Sequence, residues 1–245
     1  MIKPTFHIAG DQAFILRFGQ EIHPEVHKHV ISYYHAILAM DLKGVTLILP
    51  TYCEITIHYD PLVINHNTLL KHLKAIDLKN LDDTDSVAKL IHIPVLYGGL
   101  NGPDLEIVAR QNKLSTTEVI NKHTEPKYLV YMLGFTPGFV YLGGLNKQIS
   151  TPRKAIPRPL IKEGSVGIAG SQTGIYPIDS PGGWQIIGET PFKLFDVNRQ
   201  PEVLINAGDY IQFNAINEST FNSIKTEVDS GNYNIEVETI LLSHE

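Results

Sequence analysis

The first third of the chain alternates between two hydrophobic periods. "FHIAGDQAFILRFG" places apolar residues at every second position, which predicts two short strands around a turn at Gly10-Asp11. Apolar residues then recur at helical spacing between Pro24 and Met40, and again between Asn65 and Ile76. "GVTLILP" and "TYCEITIHYD" lie between these helices and are typical of strands. This mixture predicts a small α+β domain in which a sheet packs against two helices.

The pattern changes after the polar, acidic segment "DLKNLDDTDSVAK", which predicts a domain boundary near residue 86. "LIHIPVLY" is typical of a strand. Gly102-Pro103-Asp104 and the capping box from Ser115 to Glu118 predict two helices. From about Tyr128 the helical period disappears, and short apolar runs alternate with Gly, Pro, Asn and Asp. We therefore expect domains over residues 1–86 and 87–245, the second mainly β.

Charge and cysteine content narrow the possible partners. The 245 residues include 20 Lys and Arg against 26 Asp and Glu, giving a formal net charge of −6. This balance argues against general affinity for nucleic acid or anionic membranes. Cys53 is the single cysteine, so an internal disulfide is impossible and a thiolate zinc site is disfavoured. No leader or long apolar run is present, which predicts a cytoplasmic protein.

Histidine spacing gives little support for a metal site. His23 and His27 lie one helical turn apart, but no third ligand can be identified in the sequence. A solvated helix face is the favoured interpretation, and we expect this chain to bind no metal.

The segment "GIAGSQTGIYPIDSPGGWQIIGETP" concentrates glycine and proline around Trp184, the single tryptophan. Two interpretations are open: tight turns at a barrel rim, or a backbone cradle for a ligand. Gln172 supplies a neutral hydrogen-bonding group, and Tyr176 and Trp184 supply flat surfaces with one donor each. Phe139 in the "GFTPGF" loop is a further candidate for the same groove.

Two arginines stand upstream in "PRKAIPR", where prolines stiffen the backbone around them. Arg153 and Arg158 suit bidentate recognition of a carboxylate or phosphate. The alternatives are an exposed charged loop or an ion pair, for example with Glu163. Asp104 is most similar to a first-turn acid that satisfies backbone N–H groups.

Several long motifs resemble the KipI family, which includes the B subunit of bacterial 5-oxoprolinase, the allophanate-hydrolase-subunit-1-like domain and the sporulation kinase inhibitor KipI. They are "IPVLYGGLNGPDLEIVA", "EVINKHTEPKYLVYMLGFTPGFVYLGGL", "STPRKAIPRPLIKEGSVGIAGSQTGIYPIDSPGGWQIIGETPFKLFD" and "INAGDYIQF". A weaker similarity covers "GDQAFILRFG" and "LPTYCEITIHYDP". The resemblance implies a ferredoxin-like N-terminal domain followed by a cyclophilin-like β-barrel.

The resemblance also implies a function. It indicates one component of a heteromeric ATP-dependent 5-oxoprolinase, which acts with the A and C subunits to open 5-oxo-L-proline to L-glutamate and is inactive alone. The C subunit is carboxyltransferase-like, and ATP is shared with or supplied by the partners, since the sequence contains no recognisable nucleotide-binding motif. The alternative is a KipI-like regulator that inhibits a sensor histidine kinase without being an enzyme. A urea-amidolyase-type domain ranks last.

On the enzyme interpretation, the special residues take specific roles. Arg153 and Arg158 clamp anionic oxygens, and backbone N–H groups around Gly182 and Gly183 stabilise an oxyanion. His123 is the candidate for proton transfer, although a helix C-terminal histidine that interacts with the dipole is an equal alternative. The predicted groove consists of Phe139, Gln172, Tyr176, Gly182, Gly183 and Trp184.

Overall fold

The computed structural model describes residues 2–76 and 87–241. The chain divides into two compact units, with the division between Ser86 and Val87. The acidic boundary segment predicted from the sequence lies mostly outside the described residues. Within the described part, no helix combines the length and the apolar character that crossing a membrane requires.

The first unit packs two helices against a four-stranded antiparallel sheet. Strand β4 alternates buried and half-buried residues, with Ile55, Ile57 and Tyr59 in the core. Leu69 and Leu73 of the second helix are fully buried in the same core. In chain order its elements are β1 (Thr5–Ile8), β2 (Ala13–Arg17), α1 (Pro24–Ala39), β3 (Val45–Pro50), β4 (Glu54–Tyr59) and α2 (His66–Lys74).

The predicted ferredoxin-like fold is wrong for this unit. A ferredoxin-like unit runs β-α-β-β-α-β, so its last strand follows the second helix. Here the sheet order is β1-β2-β4-β3, and the edge beside β2 is taken by β1, which precedes it in a hairpin. Gly10 forms that turn with φ 68°, a conformation that favours glycine. The unit therefore runs β-β-α-β-β-α among the described residues.

The second unit is a closed barrel. Seven strands follow one another in the order β12-β9-β10-β7-β6-β13-β5, and β5 closes the ring by pairing with β12. In chain order its elements are β5 (Val87–Tyr97), α3 (Leu105–Gln111), α4 (Thr116–Thr124), β6 (Tyr128–Leu133), β7 (Val140–Gly143), β8 (Arg158–Ile161), β9 (Ser165–Ala169), β10 (Gln172–Ile175), β11 (Ser180–Gly182), β12 (Gln185–Glu189), β13 (Tyr210–Ala215), α5 (Glu218–Asp229) and β14 (Val237–Leu241).

Most strand pairs of the barrel are antiparallel, but β13 lies parallel to β5 over six residues. Strand β9 is buried at every position, because its side chains face either the barrel interior or the elements that cover the wall. Strand β14 extends the sheet at β5, and β8 and β11 form a separate two-stranded sheet. Strand β11 of this small sheet contributes Pro181 and Gly182 to the candidate site.

Local capping signals mark the ends of the helices, but only some of these helices were predicted from the sequence. The capping box predicted at Ser115 and Glu118 is confirmed, with both reciprocal hydrogen bonds present. Helix α5 was not predicted, because no helical period was expected after Tyr128. Asn217 caps α5 through the Thr220 N–H at 2.9 Å, and Gly231 follows the helix with φ 72°.

Candidate functional site

A recess of about 320 Å³ opens beside β11 in the barrel unit. Its walls come from the segment from the loop after β6 into β7, the loop before β8, the residue after β10, and the segment from β11 to Trp184. It brings together most of the residues predicted from the sequence. The residues that line it are Phe135, Phe139, Tyr141, Arg153, Pro157, Tyr176, Pro181, Gly182, Gly183 and Trp184.

Three buried aromatic rings form the floor of the recess. Phe139 lies edge-on to Tyr176 at 5.4 Å and to Trp184 at 5.7 Å between ring centroids. Tyr176 and Trp184 are also perpendicular, at 6.3 Å. Such edge-to-face packing matches the positive ring edge to the negative ring face and so holds the three rings in a fixed arrangement.

Close packing explains the glycine at position 182. A Cβ added there would overlap the Tyr176 hydroxyl and lie 2.8 Å from Ile161 Cδ1. Gly170 serves a different purpose, since it occupies a turn with φ 60° and nothing lies within 4 Å of an added Cβ. The turn interpretation is therefore confirmed at Gly170, and Gly182 is required by packing against Tyr176, whereas the ligand cradle stays a prediction.

Tyr176 supplies the neutral donor of the recess. Burial raises its pKa to about 12, so the hydroxyl keeps its proton at neutral pH. Among the described residues, no hydrogen-bond partner is found for this hydroxyl, although the residue is only 2% exposed. The hydroxyl lies in the lining of the recess and is available as a donor to a ligand there.

The structure separates the two predicted arginines. Arg153 is exposed and lines the recess, and no described residue forms an ion pair with it. Arg158 instead donates from Nη2 to Asp104 Oδ1 at 2.7 Å and from Nη1 to the Trp184 carbonyl at 3.3 Å. Arg158 is not among the lining residues, so the two guanidinium groups do not face one ligand position in this recess.

Asp104 is the residue whose role the sequence analysis missed. It is 2% exposed and makes no helix-capping hydrogen bond with its side chain. Its carboxylate accepts from Arg158, from Lys154 Nζ at 3.2 Å and from the Ile186 N–H at 2.7 Å. Burial opposes its ionisation, but these hydrogen bonds outweigh burial and lower the pKa of Asp104.

His123 lies in the barrel core and not at the recess. The Thr173 hydroxyl donates to the Gly167 carbonyl, so His123 Nε2–H donates to Thr173 Oγ1 at 2.8 Å. Nδ1 then accepts from the Tyr97 hydroxyl at 2.7 Å. Burial lowers the pKa of His123 to about 3, which keeps the ring neutral. Proton transfer by His123 stays a prediction, and this burial disfavours it.

Gln172 also lies outside the recess. It begins β10 and is paired in register with Ala169 of β9. Six predicted site residues line the recess, namely Phe139, Arg153, Tyr176, Gly182, Gly183 and Trp184. Gln172, His123 and Arg158 do not.

One group of potential metal ligands lies elsewhere on the barrel. His92, Glu236 and Glu238 place one ligand atom each within 4.8 Å of one another. His92 Nε2 is already 3.2 Å from Glu238 Oε1, and the two glutamates are exposed. Exposed acidic groups near a histidine are common without a metal, so this arrangement by itself does not identify a metal site.

Comparison with known proteins places these features in context. A family model described as "Carboxyltransferase domain, subdomain C and D" matches residues 4–205. The 5-oxoprolinase B subunit of Bacillus subtilis (strain 168) is 42% identical over 228 residues, covering 89% of this chain and 95% of that protein. These similarities extend over both units of the chain.

Solved structures show the same fold in larger chains. The crystal structure of TTHA0988 is 34% identical with a TM-score of 0.76, and the match covers 84% of this chain but 40% of that one. The K. lactis urea amidolyase matches 98% of this chain and 16% of its own, with a TM-score of 0.78 at 21% identity. The second likeness concerns the fold alone.

Proposed function

This chain belongs to the family of 5-oxoprolinase B subunits, and from that membership we propose that it serves as one subunit of a heteromeric ATP-dependent 5-oxoprolinase. The observation that carries the proposal is the 42% identity over nearly the full length of the Bacillus subtilis protein. A relationship of this extent reaches well beyond a single shared motif. A kinase-inhibitor function is not favoured, because the curated relatives at 42–51% identity carry the 5-oxoprolinase name.

The reaction explains why several subunits and ATP are required. A five-membered lactam resists hydrolysis, and phosphorylation of its oxygen creates a better electrophile. The sequence of this chain contains no phosphate-binding loop or dinucleotide fingerprint. We therefore assign ATP to a site supplied by or shared with the A and C subunits, and expect this chain to be inactive alone.

The recess is the part of this chain that suits a role in the reaction. It combines a cation at Arg153, a neutral donor at Tyr176 and rings that exclude water. Backbone N–H groups around Gly182 and Gly183 remain candidates for stabilising an oxyanion. Arg158 enters this proposal as a residue that supports the wall of the recess, because its guanidinium is bonded to Asp104.

The test is reconstitution. The chain is co-expressed with the A and C subunits, and 5-oxoproline-dependent ADP release is measured with each component omitted in turn. We expect activity only when all components are present. Unchanged ADP release without this chain would overturn the proposal, and inhibition of kinase autophosphorylation in the same preparation would favour the regulator instead.

A further inference from the structure

We infer that the recess binds 5-oxo-L-proline itself and not the nucleotide, with Arg153 as the anchor for the substrate carboxylate and Tyr176 as the donor to the lactam carbonyl. The inference rests on the proposed function and deepens it by assigning the substrate to this chain. Charge, hydrogen-bonding groups and shape each support it.

The charge of the recess suits one anionic group. Three cations lie close together in the sequence, but Lys154 and Arg158 both bond to the buried carboxylate of Asp104. Arg153 is the one cation among the described residues that line the recess, and it has no carboxylate partner there. A single guanidinium matches a carboxylate through two parallel hydrogen bonds. A triphosphate carries more charge, and proteins bind it with Mg²⁺ and a backbone cradle.

The hydrogen-bonding groups also match the substrate. 5-Oxo-L-proline presents one carboxylate and one amide carbonyl on a small ring. The recess presents the Arg153 guanidinium, which has no ion-pair partner among the described residues, and the Tyr176 hydroxyl, which has no hydrogen-bond partner among them. Because the Tyr176 hydroxyl stays protonated at neutral pH, it can donate to the carbonyl oxygen.

The shape of the recess agrees with a small ring. Its volume of about 320 Å³ lies at the lower end for small-molecule sites. Pro157 and Pro181 provide rigid walls, and the edge-to-face packed rings of Phe139, Tyr176 and Trp184 provide an apolar floor. The two methylene groups of the lactam ring can contact this floor, while the carboxylate and the carbonyl, on the two carbons that flank the ring nitrogen, are directed to Arg153 and Tyr176.

Trp184 provides a direct readout, because it is the single tryptophan and it lines the recess. The intrinsic fluorescence of the full chain is titrated with 5-oxo-L-proline, with 2-pyrrolidone and with ATP plus Mg²⁺. 2-Pyrrolidone has the same lactam ring without the carboxylate. We expect a saturable change with 5-oxo-L-proline, binding of 2-pyrrolidone that is weaker by roughly tenfold or more, and no competition from ATP.

Two variants separate the two contacts. Arg153→Gln should weaken the binding of 5-oxo-L-proline by roughly tenfold or more and leave the affinity for 2-pyrrolidone unchanged, since only 5-oxo-L-proline has a carboxylate. Tyr176→Phe should lower the affinity for both ligands, because both have the lactam carbonyl. Arg110→Gln is the matched control, because Arg110 is exposed on α3 and does not line the recess. Equal melting temperatures of the Arg153→Gln and Arg110→Gln proteins show that both are folded.

The inference is overturned if 5-oxo-L-proline gives no saturable response, if Arg153→Gln binds it as tightly as the unaltered chain, or if ATP competes. Its failure is distinct from failure of the proposed function. In the reconstituted complex, Arg153→Gln should raise the KM for 5-oxo-L-proline more than it lowers kcat. A complex that needs this chain for ADP release but keeps its KM in the variant would preserve the function and reject the substrate site.

Discussion

Arg158 and Asp104 form an ion pair in which Nη2 and Oδ1 are 2.7 Å apart, and this pair connects the start of β8, directly after the loop that carries Arg153, to the N-terminus of α3. The same carboxylate accepts from the Ile186 N–H, and the Lys154 N–H donates to the Gly183 carbonyl at 2.7 Å. The buried carboxylate of Asp104 thus stabilises the wall of the recess, although Asp104 itself does not line the recess. Breaking this pair is predicted to loosen the wall.

Asp104→Asn should lower the free energy of unfolding by about 3 kcal/mol, since it leaves two neighbouring cations without their shared carboxylate. Glu106→Gln is the matched control, because Glu106 is an exposed acid in the first turn of α3, the helix that Asp104 precedes. This variant should change the free energy of unfolding by less than about 0.5 kcal/mol. Urea unfolding measures both. Equal effects of the two variants would show that the pair contributes nothing beyond surface charge.

Adjacent glycines should differ sharply in their tolerance of a methyl group. Gly182→Ala must displace the buried Tyr176 ring, and we expect a loss of about 2 kcal/mol from this overpacking. Gly183→Ala places its Cβ no closer than 3.5 Å to any neighbour and should fold normally. Melting temperatures of the two variants decide the matter, and a Gly182→Ala protein as stable as Gly183→Ala contradicts the described packing.

Phe135 should matter more to the ligand than to the fold. It lines the recess with φ 71°, a left-handed conformation that is strained for a bulky residue, and it is 65% exposed. Phe135→Gly relieves the strain while losing few contacts, so stability should change by less than about 0.5 kcal/mol. Ligand affinity, measured through Trp184 fluorescence, should fall. The buried neighbour Phe139 provides the contrast, because Phe139→Ala should cost about 3 kcal/mol.

His123 should make the protein sensitive to acid. The pKa of the folded-state imidazole is about 3 against an ordinary value of 6.5, so between these values the unfolded chain binds a proton that the folded chain does not. Burial of His123 therefore has little effect on the free energy of unfolding above pH 6.5. Below this value it lowers the free energy of unfolding as the pH falls, by up to about 1.4 kcal/mol per pH unit.

Urea unfolding at pH 7, 6 and 5 measures this dependence, and His123→Gln should flatten it. The other ten histidines are the same in both proteins and cancel in the comparison. Tyr97 and Tyr128 contact the ring, but burial raises the pKa of both hydroxyls, so neither titrates in this range. Parallel pH profiles in the two proteins would contradict the buried neutral state.

Much of the recess could be predicted from the sequence because its residues are conformationally special. Glycine, proline and large aromatic residues within one segment indicate either turns or close approach, and both occur here. Gly182 and Trp184 were identified on those grounds, and the structure brings them into one recess. Residue type was sufficient for them because their contacts depend on shape.

Pairing across the fold could not be predicted in the same way. Asp104, Lys154 and Ile186 are far apart in the sequence. No local pattern indicates that the Asp104 carboxylate accepts hydrogen bonds from both of the other residues. The ferredoxin-like prediction came from the family resemblance, and the observed sheet order contradicts it. Local patterns specify strands, but they do not specify whether β1 or a later strand takes the edge beside β2.

The parallel pairing of β5 with β13 has a consequence for biosynthesis. These strands come from opposite ends of the barrel unit, and β6 and β5 both depend on β13 as their neighbour. A ribosome must release Tyr210–Ala215 before the ring can form, and until then β5 exposes an unpaired apolar edge. The nascent barrel therefore keeps an exposed apolar edge until Ala215 has been released, whereas the four-stranded sheet of the first unit is complete once Tyr59 has been released.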